Sequence, residues 1–213
     1  MKKEKQKKLY LAVGILAAFL LWTAAVRLID VQPIGPQNST VGFAALNRFF
    51  HDFMGVHMAF YTITDWLSLI PLGFVLGFAL LGLIQWFKRR NLLRVDRSIL
   101  VLGIFYAAVM AAYLFFEVFA VNYRPVLING YLEASYPSST TILVLCVMST
   151  ALMQLNNRIK NRMIRRYVSL TIIIFITFMV IGRLVSGVHW LTDIIGGILL
   201  SAGLVLLYDF FAS

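Results

Sequence analysis

"FMVIGRLVSGVHWLTDIIGGILL", residues 178–200, consists of two apolar runs joined by a short polar insertion. Arg183, His189 and Asp193 lie within it at spacings of six and four, in a stretch otherwise suited to lipid. Ionisable side chains at membrane depth are costly and usually mark function. What these three residues do depends on whether the flanking runs cross a membrane. The whole chain points that way. Its 213 residues are 61% hydrophobic and 13% charged, against about 45–50% and about 25% in a soluble domain. The length suits one membrane-embedded domain over residues 1–213.

A hydrocarbon core of about 30 Å needs roughly 20 apolar residues as a helix. By that measure six spans are predicted, at 9–29, 63–87, 99–122, 138–156, 167–185 and 190–208. The expected fold class is all-α: a polytopic membrane protein of six transmembrane helices plus an amphipathic interfacial helix. The net charge of +10 could suggest nucleic acid, but its distribution argues otherwise. Fifteen of the nineteen basic residues form three clusters. These are Lys2, Lys3, Lys5, Lys7 and Lys8; then Lys88, Arg89, Arg90, Arg94 and Arg97; then Arg158, Lys160, Arg162, Arg165 and Arg166. They precede span one and fill the loops after spans two and four, as the positive-inside rule expects of cytoplasmic segments. Both termini are therefore expected in the cytoplasm. The basic start followed by an apolar run resembles a signal peptide. The run to Ile29 is nevertheless long enough to span, and no small-residue cleavage site ends it. The expected setting is the plasma membrane of a prokaryotic cell.

The outer face receives residues 30–62, the loop 123–137 and a tight turn near 186–189. In the first of these, Phe43, Leu46, Phe50 and Phe53 recur at helical spacing and predict an amphipathic helix. His51 and His57 are six apart, which does not place them on one helical face, so packing or solvation explains them better than a metal. Cys146, the single cysteine, reads as a small buried hydrophobe. Asp65 is expected to cap the start of span two, and Glu133 to be a solvated loop charge.

Arg124 ends span three in "VNYRPV", and Arg183 lies near the end of span five. With span four starting at Ser138 and span six near His189, four helix ends converge at the outer face. Two arginines and a histidine suit an anionic, phosphorylated ligand, because guanidinium groups match phosphate oxygens in bidentate fashion. "YPSSTT" places Pro137, Ser138, Ser139 and Thr140 at a helix start, whose free N–H groups and positive dipole end attract anions. His189 and Asp193, four apart on the first turns of span six, would share a face. A carboxylate there can keep one imidazole nitrogen protonated and leave the other as an attacking lone pair. A purely structural His–Asp pair would show the same spacing.

In order and spacing these residues resemble the type 2 phosphatidic acid phosphatase superfamily, membrane lipid phosphatases related to vanadium haloperoxidases. That family carries K-x6-RP, PSGH and SR-x5-H-x3-D. This chain has "EVFAVNYRP" at 117–125, "PSST" at 137–140 and "GRLVSGVHWLTD" at 182–193. The signature region is thus about 117–193. The resemblance implies that His189 attacks phosphorus and forms a phosphohistidine, with Asp193 orienting it. Arg124, Arg183, Ser138 and Ser139 would bind phosphate oxygens, and water would then hydrolyse the phosphoenzyme without a metal or other cofactor. The implied partners are a lipid phosphate or pyrophosphate and the bilayer, with the tail entering between spans.

Three positions depart from the pattern: Glu117 stands for the lysine, Thr140 for the acid histidine and Gly182 for the serine. A threonine is a poor proton donor near pH 7, so Thr140 favours a substrate whose leaving group needs no acid. Glu117 lies seven residues before Arg124, about two turns of a helix, so the two could share a face of span three. There it could pair with Arg124 or Arg183, substitute as the acid, or contact the substrate head group. The same losses would suit a non-catalytic relative that binds or moves a phospholipid, and a lipid phosphotransferase would use the same residues with another lipid in place of water.

Overall fold

The structure, a computed structural model, describes residues 2–212. Eight α-helices follow in chain order: α1 (Lys2–Leu28), α2 (Ala44–Met54), α3 (Met58–Leu67), α4 (Leu69–Arg89), α5 (Arg97–Val118), α6 (Ser139–Arg158), α7 (Arg162–Val185) and α8 (Leu191–Ala212). Among the described residues there is no sheet, only isolated antiparallel bridges. Among the described residues six stretches are long and apolar enough to cross a membrane, and α3 and α4 together make the second of them. The expected all-α polytopic architecture is therefore found. The second span carries a break that the hydropathy pattern does not show. Pro71 has no N–H to continue the ladder and is tolerated only in the first turn of α4. At the junction, the Ser68 hydroxyl donates to the Asp65 carbonyl at 2.5 Å.

α8 is the central element and packs against α1, α5, α6 and α7. Small residues let it do so closely, as in other membrane bundles. A Cβ at Gly196 would lie 2.6 Å from the Tyr136 ring, and one at Gly203 would lie 2.7 Å from Leu16. The main core gathers Phe19, Leu102, Phe105, Tyr136, Leu200 and Tyr208, and a second cluster of Val144, Met148, Ile172 and Met179 joins α6 to α7. Outward residues are large and bare: Leu76, Ile104 and Ile174 are 65%, 73% and 60% exposed. Such a surface suits lipid and would aggregate in water.

The three basic clusters gather at one end of the bundle. Lys8 pairs with Asp209 at 2.6 Å, joining the start of α1 to the end of α8. Arg158 at the end of α6 lies 3.9 Å from Asp96 at the start of α5. The signature residues occupy the opposite end.

Two expectations at that opposite end are corrected. Span three was expected to run to residue 122 and to end at Arg124, but α5 stops at Val118. Pro125 disfavours a helical Arg124, and the chain instead turns back on itself. Arg124 N–H donates to the Glu133 carbonyl at 3.0 Å, and Ser135 N–H to the Asn122 carbonyl at 2.9 Å. Asn129 and Gly130, both at positive φ, close the hairpin. Glu117 and Arg124 therefore do not share a helical face. Likewise His189 precedes α8 instead of riding on its first turn, because the helix is capped at Trp190.

Candidate active site

The turn from α7 into α8 requires a specific backbone. Gly187 has φ +67°, and a Cβ there would lie 2.1 Å from the Gly55 carbonyl oxygen, so glycine is required. The same turn is tied to the start of α3 by His57 N–H donating to the Ser186 carbonyl at 3.0 Å.

Asp193 serves two purposes. Its Oδ2 accepts from Trp190 N–H at 2.9 Å, satisfying a free donor at the start of α8. Its Oδ1 accepts from the Asn122 amide at 3.3 Å. Both contacts fix the carboxylate where Oδ2 lies 3.7 Å from His189 Nδ1, a separation longer than a hydrogen bond. On its other side, His189 Nε2 lies 3.4 Å from Arg124 Nη1. The imidazole is thus held between a carboxylate and a guanidinium. Burial, first, and the two arginines lower its pKa to about 4, while Asp193 opposes the shift. Near neutral pH the ring is uncharged and keeps a lone pair.

Thr192 and Trp190 anchor this segment from elsewhere. Asn47, fully buried on α2, donates to Thr192 Oγ1 at 3.0 Å and accepts from Thr192 N–H at 3.3 Å. Trp190 Nε1 donates to the Tyr123 carbonyl at 2.7 Å, and the His51 ring packs 5.4 Å from the indole.

The arginines have partners that the sequence reading did not assign. Arg183, 2% exposed, donates through Nη2 to Asp65 Oδ1 at 3.1 Å and to Thr140 Oγ1 at 2.5 Å. Asp65 therefore pairs with Arg183 instead of capping the second span, because it lies at the far end of α3 from its start. Glu133 is not simply solvated: it lies 3.0 Å from Arg124 Nε. Glu117 pairs with neither arginine. The Tyr61 ring lies under both guanidinium groups, 4.9 Å from Arg183 Cζ and 6.0 Å from Arg124 Cζ. Tyr61 and Asp65 are one turn apart, so a single face of α3 holds Arg183.

Gly182 is what admits that face. A Cβ at Gly182 would lie 2.8 Å from Thr64 Cγ2, so a serine there would have to displace that methyl from the α7 surface. The departure at 182 is thus linked to the approach of α3.

At the start of α6, Ser138 is fully buried and its groups already have partners. Its N–H donates to the Asp193 carbonyl at 3.1 Å, and its Oγ accepts from the Thr141 hydroxyl at 3.0 Å. Ser139 is the residue that faces open space. It lines both a polar cavity of about 210 Å³ beside Arg124 and an apolar cavity of about 330 Å³ between α4, α5 and α6. Thr140 lines the apolar one. Arg183 Nε and Nη1 and His189 Nδ1 are buried without hydrogen-bond partners. The two unpaired donors on the Arg183 guanidinium are costly and fit an anion, whereas the uncharged His189 ring has the Asp193 carboxylate near its Nδ1. Among the described residues no cluster of three His, Cys, Asp or Glu could hold a metal.

The structure therefore gathers Arg124, Ser139, Thr140, Arg183, His189 and Asp193 at one end of the bundle, with Ser138 built into the frame beneath them. Tyr61, Asp65, Asn47 and Asn122 were not legible as site residues. A carboxylate and an asparagine within or beside apolar runs were the available signal, since each needs a partner at that depth.

None of the curated proteins compared with the chain matches it. A solved transmembrane PAP2-type phosphatidylglycerolphosphate phosphatase from Bacillus subtilis shares the fold with a TM-score of 0.66. The two are 16% identical, with 93% of this chain and 94% of that one covered. The model of the PAP2 superfamily matches residues 104–211, half of the sequence and all of the signature, and the chain belongs to that superfamily.

Proposed function

We propose that the protein is an integral membrane lipid phosphatase that works through a phosphohistidine, with its site at the outer face of the membrane. The observation that carries this reading is the imidazole held between Asp193 and Arg124, uncharged near pH 7, beside a second buried arginine with unpaired donors. Nε2, on the arginine side, is the nucleophile, and Asp193 orients the ring through Nδ1. The Nε2 lone pair forms a bond to phosphorus as the bond from phosphorus to the leaving oxygen breaks. Water then attacks the phosphohistidine, gives its proton to solvent and releases inorganic phosphate. Arg124 and Arg183 stabilise the charge that spreads over the phosphoryl oxygens. The tail lies in the apolar cavity that Thr140 lines.

Thr140 sets the preferred substrate. Its oxygen accepts from Arg183, so the residue supports the clamp and is no acid. An alkoxide leaving group has a conjugate acid resembling water, with pKa about 15.7, and needs a proton. A phosphate monoester, with second pKa about 6, leaves nearly unassisted. A lipid pyrophosphate of the polyprenyl type is therefore preferred over the monophosphate. The test is phosphate release by purified protein from matched polyprenyl pyrophosphate and monophosphate. Faster turnover of the pyrophosphate is expected, and faster turnover of the monophosphate would sink the preference.

A further inference from the structure

The polar cavity beside Arg124 has a charge and a lining that phosphate binding alone does not explain. It holds about 210 Å³, is bordered by the end of α5, the hairpin and the start of α6, and is partly open, with Glu117 exposed on its wall. Glu117 and Glu133 contribute two carboxylates to its wall, against the single guanidinium of Arg124. Glu133 is paired with Arg124, whereas the Glu117 side chain has no hydrogen bond or ion pair among the described residues. Tyr113 and Phe116 add aromatic faces. Ser135 lines the same space at 3% exposure, and its Oγ is buried without a hydrogen-bond partner. A second carboxylate beside a phosphate clamp repels an anion, and it stands where the family places a lysine. Carboxylates combined with aromatic faces and an unpaired hydroxyl are instead the chemistry that recognises an ammonium group.

We infer that this cavity is a head-group subsite for an ammonium carried on the same lipid as the phosphate, an inference that rests on the lipid phosphatase reading above. Arg124 and Ser139 lie on the wall shared with the phosphate site, so one head group can place its phosphate at His189 and its amine at Glu117. The ammonium also offsets the negative charge that Asp65, Glu133 and Glu117 add around the clamp. The cavity adds a second determinant to the leaving-group preference: of two lipids with the same phosphate group, the one that also carries an amine is bound more tightly.

The experiment compares sphingosine 1-phosphate with its N-acetyl derivative, which keeps the tail and the phosphate and loses the charge. Binding to the full-length protein in nanodiscs is measured together with phosphate release. The free amine is expected to bind about tenfold more tightly and, where phosphate is released, to show the same preference in kcat/KM. Glu117→Gln should bring that ratio close to one, and Glu117→Lys should reverse it. Equal binding of the two lipids, or a preference untouched by both variants, overturns the subsite even if phosphate is released. A clear binding preference with no phosphate released from any lipid supports the subsite and overturns the phosphatase reading, so the two failures are distinguishable.

Discussion

The two halves of the site are built differently. On the attacking side, His189 and Asp193 are 4% and 0% exposed, and each carboxylate oxygen of Asp193 has a defined donor. On the clamp side, the arginines are buried but their carboxylate partners are not: the side chains of Asp65 and Glu133 are 58% and 40% exposed. Rigid, dry surroundings keep a nucleophile oriented and uncharged. Partly wet counter-ions hold the arginines loosely and can yield to a phosphate. On the proposed mechanism the attacking side is thus fixed in advance, while the clamp exchanges one set of anions for another.

The largest effects should come from the fixed side. His189→Ala is expected to reduce phosphate release by on the order of 10³–10⁶-fold, as loss of a nucleophile does elsewhere. Asp193→Asn, which keeps the shape but can present the wrong donor to the ring, should cost about 10²–10⁴-fold in kcat. Both are read as single-turnover rates on protein whose folding is checked by its melting temperature. If Asp193→Asn retains full activity, the carboxylate is only a helix cap.

Much of this division could be read from the sequence, but unevenly. Hydropathy located the six spans because lipid imposes a length on each helix, and basic clustering paired their ends correctly. The R-x5-H-x3-D spacing brought Arg183, His189 and Asp193 together because the α7–α8 turn is short and local. What could not be read was carried by contacts distant in sequence. Asp65 reaches Arg183 from α3, which packs on α7 where Gly182 leaves room for the Thr64 methyl. Asn47 and Asn122 reach the start of α8 only through the folding of α2 and the hairpin. The fate of Arg124 turned on Pro125, which ends helical geometry where an apolar pattern alone predicts that it continues.

A middling effect is expected from the yielding side, and in the opposite direction. Asp65→Asn removes a carboxylate that competes with substrate for Arg183, while Thr140 and Tyr61 still hold the guanidinium. Because Asp65 is more than half exposed, the competition is worth at most about 1 kcal/mol. KM should therefore fall by about two- to fivefold, with kcat changed less. A rise in KM would show that Asp65 positions Arg183 more than it competes for it, and the contrast between the two sides would narrow to one of exposure.

The smallest effect concerns pH, and it tests the dryness of the attacking side directly. The folded protein holds His189 at a pKa of about 4, mainly through burial, whereas an unfolded histidine titrates near 6.5. Between those values the unfolded chain binds the extra proton and the folded one does not. The contribution of His189 to stability therefore declines as pH falls from about 6.5 towards 4, and is constant above that window. His189→Gln cannot titrate, so its melting temperature should fall less over the same range than that of the unaltered protein. Equal slopes would mean that water reaches the imidazole. The attacking side would then be as wet as the clamp, and an ordinary histidine would have to perform the attack.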